Sequence, residues 1–264
     1  MTVWIKPSPT TGSRRKPPAG LQFHMISLLL LSGGIDSTYT LAKLLNDTDD
    51  EVLVHHIHLV TNSGRHEPEA EACKNIVEFC QSHYRPFSYT QSAIDRRRFV
   101  SHGYDLLSAG FEAGVVSSSY FLATSNIVDR WFVGLATDDP VPRFRMKHAQ
   151  DCCEYNCQEG NAPMLTLFQP VSLQTQIDYM PAKLYNMTWS CRSPEKQGEK
   201  QSDKQGEKQE GGFATCGACA PCVRRASTRR SKKPRLSKAE LEVGVVPWTR
   251  ILRQAGPHAV HYKD

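Results

Sequence analysis

The stretch Ile26-Ser27-Leu28-Leu29-Leu30-Leu31, followed at once by Ser32-Gly33-Gly34-Ile35-Asp36-Ser37-Thr38, decides the fold. A short apolar run closed by glycines reads as a strand buried on both faces, the kind found inside parallel sheets. The pattern then changes to a helical period over Ser37 to Leu45. A glycine pair between strand and helix lets successive backbone N–H groups converge on an anion at the positive end of the helix. The expectation is a phosphate site made of Ser32, Gly33, Gly34, Asp36, Ser37 and Thr38. Asp36 is suited to holding Mg2+ against pyrophosphate oxygens, and the hydroxyls are donors. No Gly-Lys-Ser ending follows, so this is not the P-loop of γ-phosphate-transferring ATPases.

Working outward, Val52 to Val60 reads as a second strand and Glu67 to His83 as a second helix. Strands are expected at Arg85 to Tyr89 and Trp131 to Leu135, and helices at Gly114 to Asp129 and Thr175 to Asn186. This alternation predicts an α/β fold, a doubly wound parallel sheet. The 264 residues suffice for a real core, and the apolar run at Ile26 is far too short to cross a membrane, so a cytoplasmic protein is expected.

The net charge of +5 is unevenly spread. Residues 1–24 carry four cations, and Arg224 to Lys238 carry eight, with no acid in either segment. Removing these twelve leaves the body at −7. The proline-rich residues 1–24 read as a flexible basic arm, with Met25 offering an alternative translation start, and residues 227–264 read as a basic tail. Both read as solvated arms, so direct nucleic-acid binding is not expected. Residues 195–212 carry a Glu-Lys-Gln array with nothing to bury, which reads as an inserted low-complexity loop.

Nine cysteines in a reducing compartment point to metal ligands and free thiols rather than disulfides. Cys216, Cys219 and Cys222 recur every three residues, and Cys191 lies upstream. Four thiolates suit a closed structural zinc site, with an iron–sulfur cluster as the alternative. Gly217 and Pro221 suit the tight knuckle. Cys152, Cys153 and Cys157 read as free thiols on a helix surface. His55, His56 and His58 read as polar residues near a ligand.

The Ser-Gly-Gly-x-Asp-Ser pattern resembles the pyrophosphate loop of the adenine-nucleotide α-hydrolase-like superfamily, whose members transfer AMP to a carbonyl or carboxyl oxygen and release pyrophosphate. Joined to Thr188-Trp189-Ser190-Cys191, to Cys216 through Cys222, and to the following Arg225, it resembles the 7-cyano-7-deazaguanine synthases of queuosine biosynthesis. Arg65, His66 and Glu69 match that family's Arg-His-x-x-Glu segment. The resemblance touches most of residues 25–226.

It implies an ATP-binding domain over 25–187 and a zinc-binding segment over 188–226, with ligands Cys191, Cys216, Cys219 and Cys222. Leu31, Ser32, Gly33, Gly34, Ile35, Asp36, Ser37, Thr38, Tyr39, Thr40 and Leu41 would span the nucleotide segment, with Arg65, His66 and Arg225 beside it and Asp36 and Ser37 catalytic. The implied reaction adenylates 7-carboxy-7-deazaguanine, lets ammonia displace AMP to give an amide, and dehydrates the amide to the nitrile. A homodimer is also implied. Two other readings stay open: a tRNA-thiolating enzyme of the same superfamily, and a non-catalytic nucleotide- or nucleic-acid-binding paralogue. The family's substrate-side motifs are replaced here by Val115 to Ser119 and Thr137 to Arg143, and its late lysine is absent at Gln174 and Thr175.

Overall fold

The computed structural model describes residues 25–100, 103–137, 143–196, 212–228 and 245–247. The arm at 1–24, the array at 197–211 and most of the basic tail lie outside the described residues.

The buried run at the start forms β1 (Ile26–Leu30), and α1 (Ile35–Asp47) follows the glycine pair. Next come β2 (Glu51–Val60), α2 (His66–His83), β3 (Ser88–Asp95), α3 (Asp105–Thr124), β4 (Arg130–Phe132), α4 (Arg143–Tyr155) and β5 (Met164–Phe168). Two short helices, α5 (Leu173–Tyr179) and α6 (Ala182–Asn186), precede the ladder of β6 (Glu195–Lys196) and β7 (Phe213–Ala214). The described chain ends with α7 (Ala220–Ser227) and β8 (Val245–Pro247). The main sheet runs β3-β2-β1-β4-β5-β8, with the first five strands parallel and β8 antiparallel to β5.

Side-chain alternation along the strands sends residues to two cores. Leu29, Leu31, Val52, Val54 and Phe132 pack under α1, α2, α5 and α6. Leu28, Leu30, Leu53, Trp131 and Leu165 pack under α3 and α4. Helices thus cover both faces, and the α/β doubly wound architecture stands.

Several elements differ from the sequence reading. The strand expected from Arg85 begins at Ser88, because the Arg85 side chain turns back to donate to the carbonyls of Leu45 (3.1 Å) and Leu44 (3.0 Å), which end α1. The helix expected over Thr175 to Asn186 breaks at Met180, whose extended conformation is the one favoured before Pro181. Helix α3 starts well before Gly114, and the strand at Trp131 stops at Phe132. Cys153 lies fully buried in the core under α3 and α4 rather than on a helix surface; Cys152 and Cys157 are half-buried.

Helix α3 has the length and mean hydropathy of a membrane span, yet half of it is buried inside the fold. Its glycines explain the burial. A Cβ on Gly110 would lie 2.1 Å from the Ala149 carbonyl oxygen, and one on Gly114 would lie 2.4 Å from that of Cys153. Only glycine lets α3 and α4 approach so closely.

Candidate nucleotide site and four-cysteine centre

The strand order reverses between β1 and β4, and ligands in open parallel sheets bind beyond the carboxyl ends of the strands at such a switch. A cleft of about 660 Å³ lies there, within the range of small-molecule sites. The first turns of α1, α3 and α4 all border it.

On its phosphate-loop side, Gly33 takes φ +77° and packs against the Glu69 carbonyl and Cys73 Sγ. A side chain there would be strained by conformation and by contact. Ser37 Oγ ties the loop together, accepting from Ser32 N–H at 3.2 Å and meeting Ser32 Oγ at 2.9 Å. Gly134, just after β4, backs the first turn of α1: a Cβ on it would lie 2.2 Å from Ser37 N and 2.3 Å from the Asp36 carbonyl carbon. Asp36 faces Arg224, with Oδ2 3.5 Å from the guanidinium.

Beyond the loop, Arg65 pairs with Asp105 at 2.8 Å and lies 3.8 Å from Glu69. Burial raises the Glu69 carboxyl to about 7 despite the attraction of Arg65. His56 Nδ1 donates to the Leu31 carbonyl at 2.8 Å, which leaves Nε2 as a buried acceptor with no partner among the described residues. His55 turns to the opposite side, to Thr90 (2.8 Å) and Ser92 (3.0 Å). Burial lowers both histidines to about 4, so both are neutral at pH 7.

The sulfur atoms of Cys191, Cys216, Cys219 and Cys222 all lie within 4.8 Å of one another. Gly217, at φ +67°, makes the knuckle turn, and Pro221 opens α7, where a missing N–H costs nothing. Backbone N–H groups point at the thiols, Cys216 N at Cys191 Sγ (3.3 Å) and Cys219 N at Cys216 Sγ (3.4 Å). Cys191 and Cys216 sulfurs are 3.5 Å apart. Tetrahedral thiolates about 2.3 Å from a single ion stand about 3.8 Å apart, so the set fits one ion. In a four-iron cube each thiolate sits on a different iron, and the sulfurs stand farther apart.

The thiol centre and the loop are joined. Trp189 N–H donates to the Gly33 carbonyl at 2.8 Å, and Arg192, next to Cys191, lines the cleft.

Leu31, Ser32, Asp36, Ser37 and Arg65 thus line the cleft, with Gly33 and Gly34 shaping its loop. Ile35, Thr38, Tyr39, Thr40 and Leu41 are buried in the body of α1, where the Thr38 and Thr40 hydroxyls bond helix carbonyls (2.7 and 2.9 Å). His66 opens α2 outside the cleft lining. The Arg225 guanidinium donates to the Thr188 carbonyl at 2.8 Å and lies over the Tyr185 ring, tying α7 down, while the neighbouring Arg224 faces the loop. Sequence reasoning missed Gly134, Arg224, Arg192 and the α4 residue Arg145. Only Gly134 carried a signal, a glycine inside the strand expected at Trp131 to Leu135.

No protein-family model matches the chain, and no curated protein matches it. Among solved structures, the U34-tRNA thiolase NcsA from Methanococcus maripaludis with its 4Fe-4S cluster is similar at 12 % identity, covering 79 % of this chain and 83 % of that one, with a TM-score of 0.31. A likeness this slight carries no argument about fold or function.

Proposed function

We propose that the chain is an ATP-dependent ligase of the adenine-nucleotide α-hydrolase-like superfamily, converting 7-carboxy-7-deazaguanine and ammonia to 7-cyano-7-deazaguanine in the cytoplasm. The observation that carries this reading is the junction of the Ser32 to Ser37 loop, at the sheet's switch point, with a four-thiol knuckle through Trp189 and Gly33.

In this reading the N-terminus of α1 and the loop backbone hold the triphosphate, and Arg192 and Arg224 offset its charge. A carboxylate oxygen of the acid attacks the α-phosphorus, and pyrophosphate leaves. Ammonia then adds to the acyl carbon and AMP departs, giving the amide. Glu69, half ionised near neutral pH, takes the proton that the nitrogen loses. A second adenylation, on the amide oxygen, followed by loss of AMP and a proton, gives the nitrile. Mg2+ beside Asp36 would supply charge neutralisation on the leaving pyrophosphate. Zn2+ bound by Cys191, Cys216, Cys219 and Cys222 would supply structural rigidity alone, since four thiolates leave no open position.

The test is incubation of the full chain with ATP, ammonia and 7-carboxy-7-deazaguanine, followed by mass analysis. Amide and nitrile, with AMP and pyrophosphate in equal amounts, are expected, and Asp36→Ala should abolish both products. Release of ADP, or no change in the mass of the acid, overturns the reading.

A further inference from the structure

The cleft that holds the glycine loop is also lined by a guanidinium for which the described residues offer no counter-ion. Arg145, in the first turn of α4, lies 3.6 Å above the Tyr104 ring. Its Nε is buried and makes no hydrogen bond, and no carboxylate pairs with it among the described residues. The Phe144 ring lies 5.7 Å away. Stacking on aromatic faces steadies the half-buried guanidinium but leaves its buried Nε–H donor unanswered. The helix adds to the imbalance. The first turn of α4 holds no acid, so Arg145 sits at the positive end of the helix dipole with no carboxylate beside it among the described residues.

A second observation points to the same wall. Ser108, in the first turn of α3, is 3 % exposed, and its Oγ has no partner among the described residues, yet the residue borders the cleft. Buried polar atoms are nearly always satisfied, so an orphaned guanidinium nitrogen and an orphaned hydroxyl on one wall imply a ligand that satisfies both. The ligand must be anionic to suit Arg145. It must also present a flat apolar body, because Tyr104, Val133, Leu135 and Met146 line the cleft beside it. Of the other cations lining the cleft, Arg65 already holds Asp105, and Arg192 lies close enough to Glu69 to draw its pKa down.

We propose that Arg145, stacked on Tyr104 and supported by Ser108, is the carboxylate subsite of this cleft and receives a planar aromatic acid as the second substrate. The assignment rests on the reading of the chain as an acid-adenylating ligase. It gives that reading a missing part: an acid and a triphosphate repel, and a guanidinium in the lining lets both occupy one cleft. The planar fork of arginine accepts a carboxylate through two parallel hydrogen bonds, which lysine cannot reproduce.

The experiment measures binding of 7-carboxy-7-deazaguanine and of its uncharged 7-amido counterpart to the full chain by calorimetry. Benzoate and indole-3-carboxylate serve as further probes. Wild type is compared with Arg145→Lys, Arg145→Gln and Tyr104→Leu, with thermal unfolding as the folding control. Losing a charge-assisted pair should weaken binding of the acid roughly ten- to hundredfold in Arg145→Gln, with the amide far less affected and ATP affinity unchanged. Arg145→Lys, which leaves the fold least disturbed, should fall between. If the acid binds wild type and Arg145→Gln equally, the subsite is wrong while the ligase reading stands. If the deazaguanine acid fails to bind but the simpler aromatic carboxylates bind in an Arg145-dependent way, the subsite stands and the substrate in the ligase reading is wrong. If no carboxylate binds in an Arg145-dependent way, the proposal is overturned.

Discussion

Replacing Gly134 by alanine puts a methyl group where there is only backbone. The new carbon would stand 2.2 Å from Ser37 N, 2.3 Å from the Asp36 carbonyl carbon and 2.6 Å from Ser37 Cα. Ordinary carbon contacts begin near 3.4 Å, so the first turn of α1 must retreat by roughly 1 Å. None of the three atoms belongs to a flexible side chain, and α1 cannot slide as a body because Leu41, Leu44 and Leu45 are locked in the core. The strain therefore falls on the phosphate loop. Overpacking of this kind costs about 1–3 kcal/mol, which in a chain of this size lowers Tm by roughly 3–10 °C. The effect on chemistry should be larger, since a displacement of about 1 Å in a positioning element costs on the order of a hundredfold in rate. The assay is exchange of labelled pyrophosphate into ATP in the presence of 7-carboxy-7-deazaguanine, alongside a thermal melt. Gly212→Ala is the control, because its Cβ would meet no heavy atom within 4 Å. If Gly134→Ala matches both Gly212→Ala and wild type in Tm and exchange rate, the loop is not held by this contact.

Gly110→Ala gains up to about 1 kcal/mol of helix propensity but drives a methyl into the Ala149 carbonyl, so a net loss of about 1–2 kcal/mol in urea unfolding is expected; an unchanged midpoint refutes the close packing of α3 on α4. Acidification should destabilise the fold. With His55 and His56 lowered to about 4 and Glu69 raised to about 7, unfolding below the ordinary histidine pKa takes up two protons and releases one. Stability then falls by about 1.4 kcal/mol per unit between roughly pH 6.5 and 4.5, and a flat Tm across that window contradicts it. Metal analysis should find about one zinc per chain, and its removal by a chelator should lower Tm by roughly 10 °C; iron with a visible chromophore would support the thiolating alternative.

Much of the architecture was legible because burial on two faces leaves a strong trace. The run at Ile26 could only be a central strand, and the glycines behind it could only open onto a helix. The four thiols were legible from spacing, since metal ligands sit where the chain must fold back on itself. The rest of the cleft was not. Arg145 lies in a helix whose first turn, Arg143 to Met146, mixes charge and bulk without a clean apolar stripe, and its significance comes from the absence of a neighbour, which no sequence displays. Arg224 and Arg225 differ only in which way α7 turns them, toward Asp36 or toward Thr188. Similarly, β3 lies later than expected because Arg85 is spent on capping α1, a contact between residues far apart in the chain.

The hydrogen bond from Trp189 to Gly33 joins the start of the fold to its end, and this has a consequence for synthesis on the ribosome. The glycine loop emerges early, but its backing at Trp189, the thiol knuckle and Arg224 emerge more than 150 residues later. A growing chain therefore carries the loop without the parts that complete it. The completed arrangement appears late, when the last thiol arrives, so truncated products of failed translation would carry the glycine loop without its backing.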